Sequence, residues 1–85
     1  MSYYVYVLIS KKDLGFYIGI SKNPEKRLKR HNAGDTKSTK GRRPFELIYK
    51  EKYSTRKEAR EREKYLKSGI GRDFIKNNFK NNFPR

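Results

Sequence analysis

Three polar side chains stand at spacings that could support chemistry. Arg27 and His31 are four residues apart in a segment typical of a helix, so they are expected on one face, one turn apart, as a cationic pair. Glu63 lies on the same expected helix stripe as Ala59 and Leu66, which should face the core. A carboxylate there must be ion-paired, protonated or bound to a metal, because burial of an isolated charge is costly.

Each of these positions also has a simpler interpretation. Arg27 and His31 could extend a solvated basic helix surface, since their neighbours on the same segment are lysine and arginine. Glu63 could form a structural ion pair with a nearby arginine. Judged from this helix alone, such a pair and metal binding explain the carboxylate equally well.

Two tyrosines belong to short motifs on consecutive predicted strands, YVY at residues 4–6 and YIG at residues 17–19. Tyr6 should point to the same side as its strand neighbours at alternate positions, and Tyr17 to the same side as Gly19. Glycine leaves open space beside the Tyr17 ring, where a ligand could approach. Considered singly, both tyrosines are typical core residues whose hydroxyls only need a hydrogen bond.

The composition indicates a polyanionic partner. Lys and Arg number 23 against 9 acidic residues in a chain of 85, for a formal net charge of +14. Nucleic acid is the favoured partner, although an ordinary basic ribosome-associated protein would also explain the charge. The absence of cysteine excludes disulfides, thiolate catalysis and cysteine-based zinc sites, and it fits a reducing cytoplasm. The apolar run at residues 5–9 is too short to cross a bilayer and has no signal-peptide pattern around it.

The elements that must position these residues are predicted in the order ββαβα, with a short last helix. Runs of β-branched and aromatic residues predict strands at residues 3–10, 16–21 and 45–53. The first helix should begin after the N-cap Asn23, with proline in its first position, and close at Gly34. The second should begin at a capping box on Thr55 and run to about Ser68.

The remaining segments are predicted to be less regular. Residues 35–44 carry four basic residues among small and polar ones and are expected to form an exposed, mobile loop. Gly69 and Gly71 should break the second helix, before a last helix at residues 73–79. Residues 81–85 should fray. We therefore expect a single α+β domain over residues 1–80, a three-stranded antiparallel sheet flanked by helices.

Taken together, these motifs resemble the GIY-YIG nuclease superfamily over roughly residues 3–72. The resemblance rests on YVY, then YIG eleven residues on, then R-x-x-x-H on the next helix and an inward glutamate on the following capped helix. The segments HNAG, KGRRPFELIY and EKYLKSG are similar to those of small stand-alone bacterial proteins in this superfamily. Each element alone is weak, whereas their order and spacing together are specific.

The resemblance implies a divalent-metal-dependent endonuclease that hydrolyses DNA, with RNA as an alternative substrate and repair or recombination intermediates as candidates. Tyr6 and Tyr17 would be the paired motif tyrosines, and either could take a proton from the attacking water. Arg27 would be the catalytic arginine, and His31 would orient a tyrosine or shuttle a proton. Glu63 would bind one Mg²⁺ or Mn²⁺, which would otherwise be held mostly by water.

The sequence departs from the family pattern in ways that bear on function. Tyr4 stands where the family name has glycine. The asparagine that often follows the metal-binding glutamate has several candidates, namely Asn77, Asn78, Asn81 and Asn82. We expect no separate DNA-binding module in 85 residues, and therefore low intrinsic specificity that rests on phosphate contacts. Candidates for such contacts, or simply solvated charges, are Lys40, Arg42 and Arg43. The alternative function is a catalytically weak or inactive basic nucleic-acid-binding module.

Overall fold

The computed structural model describes residues 2–79 and confirms the three-stranded antiparallel sheet. The strands β1 (Tyr3–Ser10), β2 (Phe16–Ser21) and β3 (Phe45–Tyr53) lie at the predicted positions, in the spatial order β2-β1-β3. The apolar β1 is central because it pairs with both neighbours. Its register against β2 places Tyr6 opposite Gly19 and Leu8 opposite Tyr17, so these four residues share one face of the sheet.

Helices cover both faces of this sheet, which is why β1 is buried on both sides. The helices are α1 (Pro24–Ala33), α2 (Arg56–Lys67) and α3 (Gly69–Phe79). His31 of α1 packs on the face that carries the tyrosines. The opposite face forms the apolar core with α2 and α3, from Val5, Val7, Ile18, Ala59, Leu66 and Ile75. The sheet therefore lies between α1 on one face and α2 and α3 on the other, which is the α+β arrangement that the sequence predicts.

The ends of α1 are those the sequence predicts. The Asn23 side chain accepts a hydrogen bond from the Lys26 N–H at 3.1 Å, and Gly34 adopts a left-handed φ of 86° that closes the helix. Asn32 also clamps the start of β3, because its amide accepts from the Phe45 N–H at 2.7 Å and donates to the Phe45 carbonyl at 3.0 Å. These bonds hold α1, and the residues it carries, at a set place over the sheet.

The predicted start of the last helix is wrong, since α3 begins at Gly69 and not at residue 73. Ser68 ends α2 in an extended conformation and then caps α3, its hydroxyl accepting from the Gly71 N–H at 3.2 Å. A Cβ at Gly71 would lie 2.0 Å from the Tyr65 carbonyl oxygen, so glycine is required for the two helices to approach. Gly69 and Gly71 therefore do not break the helical region as predicted, although glycine is costly in helix interiors.

The segment at residues 35–44, predicted to be an exposed, mobile loop, is mostly exposed but more regular than the sequence indicates. Lys40–Arg42 forms a short 3-10 helix, and the side chain of Thr39 just before it is fully buried. Ser10 donates to the Arg42 carbonyl at 2.6 Å, and Arg42 forms an ion pair with Asp13 at 2.8 Å. These tertiary contacts tie the segment to the β1–β2 turn, which no local pattern in a polar stretch indicates.

A second partly buried carboxylate, on β3, was missed by the sequence reasoning, which found Glu63 alone. The Glu51 side chain is only 16% exposed and accepts two hydrogen bonds from Arg62, at 2.9 and 3.0 Å. The hydroxyls of Tyr49 and Tyr53 donate to the same carboxylate. Burial alone would raise the pKa of Glu51, but the hydrogen bonds from Arg62 and the tyrosines outweigh it and lower that pKa.

Replacing Glu51 by glutamine is expected to lower the free energy of unfolding at neutral pH by about 1–3 kcal/mol, because Arg62 loses its charged partner. A lowered folded-state pKa means that the carboxylate stabilises fully above its unfolded value of 4.5 and progressively less below it. In urea unfolding, the wild type should therefore lose more stability than Glu51→Gln as the pH falls below 4.5. Glu46→Gln, an exposed change on the same strand, is the control and should unfold like the wild type.

Within residues 2–79, no helix is long and apolar enough to cross a membrane. The predicted tail at residues 81–85 lies outside the described residues. The domain boundary at residue 80 stays a prediction.

Candidate active site

Three aromatic side chains meet on the α1 face of the sheet. The rings of Tyr17 and His31 lie edge to face, with centroids 4.8 Å apart, and Tyr6 lies 6.3 Å from Tyr17 and 6.4 Å from His31. Sheet register puts the two tyrosines on adjacent strands, and α1 brings the imidazole onto them. The structure thus brings together three of the five residues that the sequence singled out as catalytic candidates.

His31 is fully buried and has a partner at each ring nitrogen. Nε2 lies 3.4 Å from the Tyr6 hydroxyl, and Nδ1 lies 2.9 Å from the Thr39 hydroxyl. Burial lowers the pKa of His31, and the positive charges of Arg27 and Arg30 lower it further. The imidazole is therefore neutral at pH 7, and the expected cationic pair with Arg27 is wrong in its charge.

Arg27 is the fourth member of the group. Its guanidinium lies near enough to the Tyr6 hydroxyl to lower the pKa of that phenol. Its Nε is buried and has no hydrogen-bond partner among the described residues. A buried N–H donor without a partner is costly, and a bound anion would satisfy it.

Glu63 joins the group through its charge. Its side chain is 18% exposed, whereas Ala59 and Leu66 on the same helix stripe are fully buried. Its charge is close enough to raise the pKa of Tyr6. Among residues 2–79, the ion-pair partner of Glu63 is Lys67 one turn on, at 3.2 Å, whereas the simpler interpretation supposed an arginine. The Lys67 side chain is more than half exposed, so this ion pair is weak.

The ionisation of Tyr6 is governed by several opposing effects. Burial raises the pKa of Tyr6 above 10.0, and the neighbouring Tyr17 and Glu63 act in the same direction. The hydrogen bond and positive charge of Arg27 lower it without cancelling the rise. The protein's own groups therefore keep this phenol protonated at neutral pH, so a proton acceptor or an added positive charge is needed before it can act as a base.

Gly19 determines how closely β2 approaches Tyr6. A Cβ at this position would lie 2.7 Å from the Tyr6 hydroxyl oxygen and 2.8 Å from its ring carbon Cζ. The space that glycine leaves on this face is thus occupied by the Tyr6 ring, whereas the sequence suggested a ligand beside Tyr17. The last residue of the YIG motif is required for tight packing of the first motif's tyrosine.

Gly19→Ala is expected to displace the Tyr6 ring and to lower the free energy of unfolding by about 1–3 kcal/mol, because the buried ring has no room to yield. Urea unfolding gives the stability, and tyrosine ring signals in NMR spectra give the displacement. Gly41→Ala adds the same methyl group where nothing lies within 4 Å, and should unfold like the wild type. Equal unfolding curves for the two variants would contradict the packing argument.

The three residues predicted to contact nucleic acid differ in their exposure and in their partners within the protein. Lys40 and Arg43 are exposed, although the Arg43 Nε donates to the Lys40 carbonyl at 2.8 Å. Arg42 is half-buried, paired with Asp13 and stacked 5.5 Å from the centre of the Phe45 ring. Arg42 is therefore engaged by other side chains of the protein, and a role in binding nucleic acid would require it to leave those partners.

The candidate asparagines contribute little to the described site. Asn77 is exposed, and the Asn78 amide donates to the Phe74 carbonyl at 2.8 Å within its own helix. Asn81 and Asn82 lie outside the described residues. Sequence reasoning missed Thr39, the partner of His31, which lies in a polar stretch without any periodic pattern.

Comparison with known proteins agrees with this arrangement. The family model described as the GIY-YIG catalytic domain matches residues 2–77. A UPF0213 protein of Clostridium perfringens is 46% identical over 65 residues, covering 75% of this chain and 69% of that protein. A UPF0213 protein of Bacillus licheniformis is 48% identical over 67 residues, covering 78% of this chain and 68% of its own length.

A solved structure resembles the chain as well. The solution NMR structure of a UPF0213 protein from Bacillus halodurans superposes with a TM-score of 0.53 at 32% identity, covering 88% of this chain and 82% of that one. The matched region includes both strand motifs, the α1 residues and Glu63. The chain therefore belongs to the GIY-YIG nuclease domain family, among its small UPF0213 members.

Proposed function

We propose that the protein is a divalent-metal-dependent endonuclease that hydrolyses DNA phosphodiester bonds with low intrinsic sequence specificity. The observation that carries this proposal is the buried, unpartnered Nε of Arg27 beside the Tyr6 hydroxyl. A guanidinium with a free N–H in a partly desolvated position is suited to a phosphate oxygen, since its planar fork matches phosphate geometry. Family membership supports nuclease activity independently.

The donor set around Arg27 fits one hard divalent cation. Glu63, whose charge acts on Tyr6, is the carboxylate that would hold the cation. Because residues 2–79 contain no group of three or more His, Asp or Glu side chains placed for a metal, the other ligands would be water and substrate. Mg²⁺ suits such a site because it keeps several waters and takes one or two carboxylates together with substrate phosphate. When bound by Glu63, Mg²⁺ or Mn²⁺ would supply Lewis-acid stabilisation of charge on the phosphate and the leaving oxygen.

The proton path proposed for hydrolysis runs through Tyr6 to His31. As a water oxygen bonds to phosphorus and the bond to the leaving oxygen breaks, the Tyr6 oxygen takes the water's proton and passes its own to His31 Nε2. The neutral imidazole can accept it, and a separation of 3.4 Å is within the range that tightens when substrate binds. Arg27 then neutralises the charge that develops on the phosphate. Tyr17 fixes the imidazole by its edge contact.

Low specificity is proposed because the charged side chains around the site can bind the phosphate backbone, which is the same for every sequence. α1 exposes Lys26, Lys29 and Arg30 next to the half-buried Arg27 and the buried His31. Phosphate contacts position a protein on DNA without reading its sequence. Repair or recombination intermediates are the proposed substrates, RNA is the alternative, and the reducing cytoplasm is the proposed compartment.

One observation favours a second candidate, a basic nucleic-acid-binding module without catalysis. The Glu63 carboxylate is already paired with Lys67, and the Tyr6 phenol is held in its protonated form. Both features would have to yield for turnover. A chain that binds DNA through its charge alone would need neither to change.

Nicking of supercoiled plasmid distinguishes these functions. The endonuclease should convert plasmid to open circles with Mg²⁺ or Mn²⁺, and EDTA should stop the reaction. Binding of the plasmid at low salt without nicking under any divalent cation would favour the binding module. Preferential binding of structured RNA without cleavage would instead indicate a ribosome-associated role.

A further inference from the structure

We propose that Thr39 is a positioning residue, whose hydroxyl keeps the proton of the neutral His31 ring on Nδ1 and so leaves Nε2 bare toward Tyr6. The inference deepens the proposed function and rests on it for its catalytic meaning. It concerns a residue outside the tyrosine, arginine, histidine and glutamate set. A chain of hydrogen-bonding groups from Thr36 through Thr39 and His31 to Tyr6 supports it.

At the Thr39 end, a backbone carbonyl sets the direction of the hydrogen bonds. The Thr39 hydroxyl lies 3.3 Å from the Thr36 carbonyl oxygen, which can only accept. Donating its single proton there leaves the hydroxyl oxygen to accept at its other contact, the His31 Nδ1 at 2.9 Å. His31 must then be the donor at Nδ1.

At the Tyr6 end, the contact is compatible with the same direction. The Tyr6 hydroxyl carries one proton, and His31 Nε2 lies 3.4 Å from its oxygen. Because the ring is neutral, it holds one proton. The Thr39 end places that proton on Nδ1, so Nε2 can accept from the phenol.

The burial of this chain makes the arrangement specific. Thr39, His31 and Tyr6 are each at most 1% exposed, so bulk water does not compete for their donors and acceptors. Partners of this kind fix the tautomer of a functional histidine in many sites. With the opposite tautomer, Nε2 would carry a proton and could not accept the one that Tyr6 releases.

The tautomer can be read directly, because His31 is the chain's one histidine. Long-range ¹H–¹⁵N NMR spectra at pH 8 should show a protonated Nδ1 and a bare Nε2 in the wild type, and the same pattern in Thr39→Ser, which keeps the hydroxyl. Thr39→Val removes the hydroxyl at nearly constant shape. Its spectrum should shift toward the Nε2–H form, since the ring can then donate to the Tyr6 oxygen.

The activity readout uses the same variants. Thr39→Val should lower kcat for plasmid nicking by about 10- to 100-fold, as is usual for lost partners of a functional histidine, with KM unchanged. Thr39→Ser should retain most of the rate, and Ser38→Ala, an exposed neighbour, should match the wild type. A rate in Thr39→Ser as low as in Thr39→Val would overturn the hydroxyl's role.

The spectra stand apart from the proposed nuclease activity. A wild-type protein that never nicks DNA would contradict the proposed function, while its Nδ1–H spectrum would still support the role of Thr39 in positioning. A wild-type ring protonated on Nε2 would overturn the inference even in an active nuclease. So would an unchanged tautomer in a folded Thr39→Val protein.

Discussion

Glu63→Gln is expected to lower the rate of plasmid nicking by about 100-fold or more, because it removes the charged oxygen proposed to hold the cation that stabilises the departing oxygen. Glutamine keeps the shape and one oxygen of the side chain, so the fold should be unchanged. The lost ion pair with Lys67 is exposed and of the i,i+4 type, worth only about 0.3–0.5 kcal/mol. Single-turnover nicking at saturating Mg²⁺, with binding measured separately, gives the effect.

Glu61→Gln is the matched control for this change. It removes the same charge from an exposed position on α2, two residues earlier. Its nicking rate should stay close to that of the wild type, and both variants should bind DNA at least as well, since each loses a negative charge. Equal losses in the two variants would mean that the rate responds to net charge, and the metal-binding role of Glu63 would be wrong.

The strands and α1 could be predicted because their determinants are local. The β1 run has β-branched and aromatic residues at successive positions, and Asn23 and Gly34 carry the conformations that start and end a helix. The α2–α3 junction depends instead on Ser68 serving both helices and on a close backbone approach at Gly71. A helix-propensity scale gives Gly71 an energetic cost, because the scale does not include the Tyr65 backbone that Gly71 approaches in the fold.

The site was predictable in its residue types but not in its electrostatics. Spacing placed Arg27 and His31 on one face, yet whether the imidazole is charged depends on burial, which only the packing of α1 on the sheet determines. Thr39 reaches His31 through a turn held by Thr36 and the adjoining 3-10 helix, and the polar sequence there gives no sign of it. Glu51 had a readable signal, because Tyr49 and Tyr53 flank it on one strand face, but its partner Arg62 is set by tertiary packing.

Arg27→Lys is expected to lower kcat for nicking by about 100- to 1,000-fold, comparable to the loss of one preorganised donor to a transition state. Lysine keeps the positive charge but has one compact ammonium in place of the planar fork, so it cannot serve the Tyr6 oxygen and a phosphate oxygen with fixed geometry. The loss should appear in kcat, because the planar guanidinium stabilises the charge that develops on the phosphate during the reaction. DNA affinity should not change, because lysine conserves the positive charge. Rapid-quench nicking and band-shift titration measure the two quantities.

Arg30→Lys makes the same substitution one turn along α1, at an exposed position. Only Arg27 has a buried Nε without a described partner, so only its replacement removes a donor that is preorganised for substrate. If the geometry of this donor matters, Arg30→Lys should nick DNA about 100- to 1,000-fold faster than Arg27→Lys. Both variants should bind DNA equally. Similar rates would show that positive charge on this helix suffices. That result would leave a basic surface without a catalytic arginine and would favour the binding module over the nuclease.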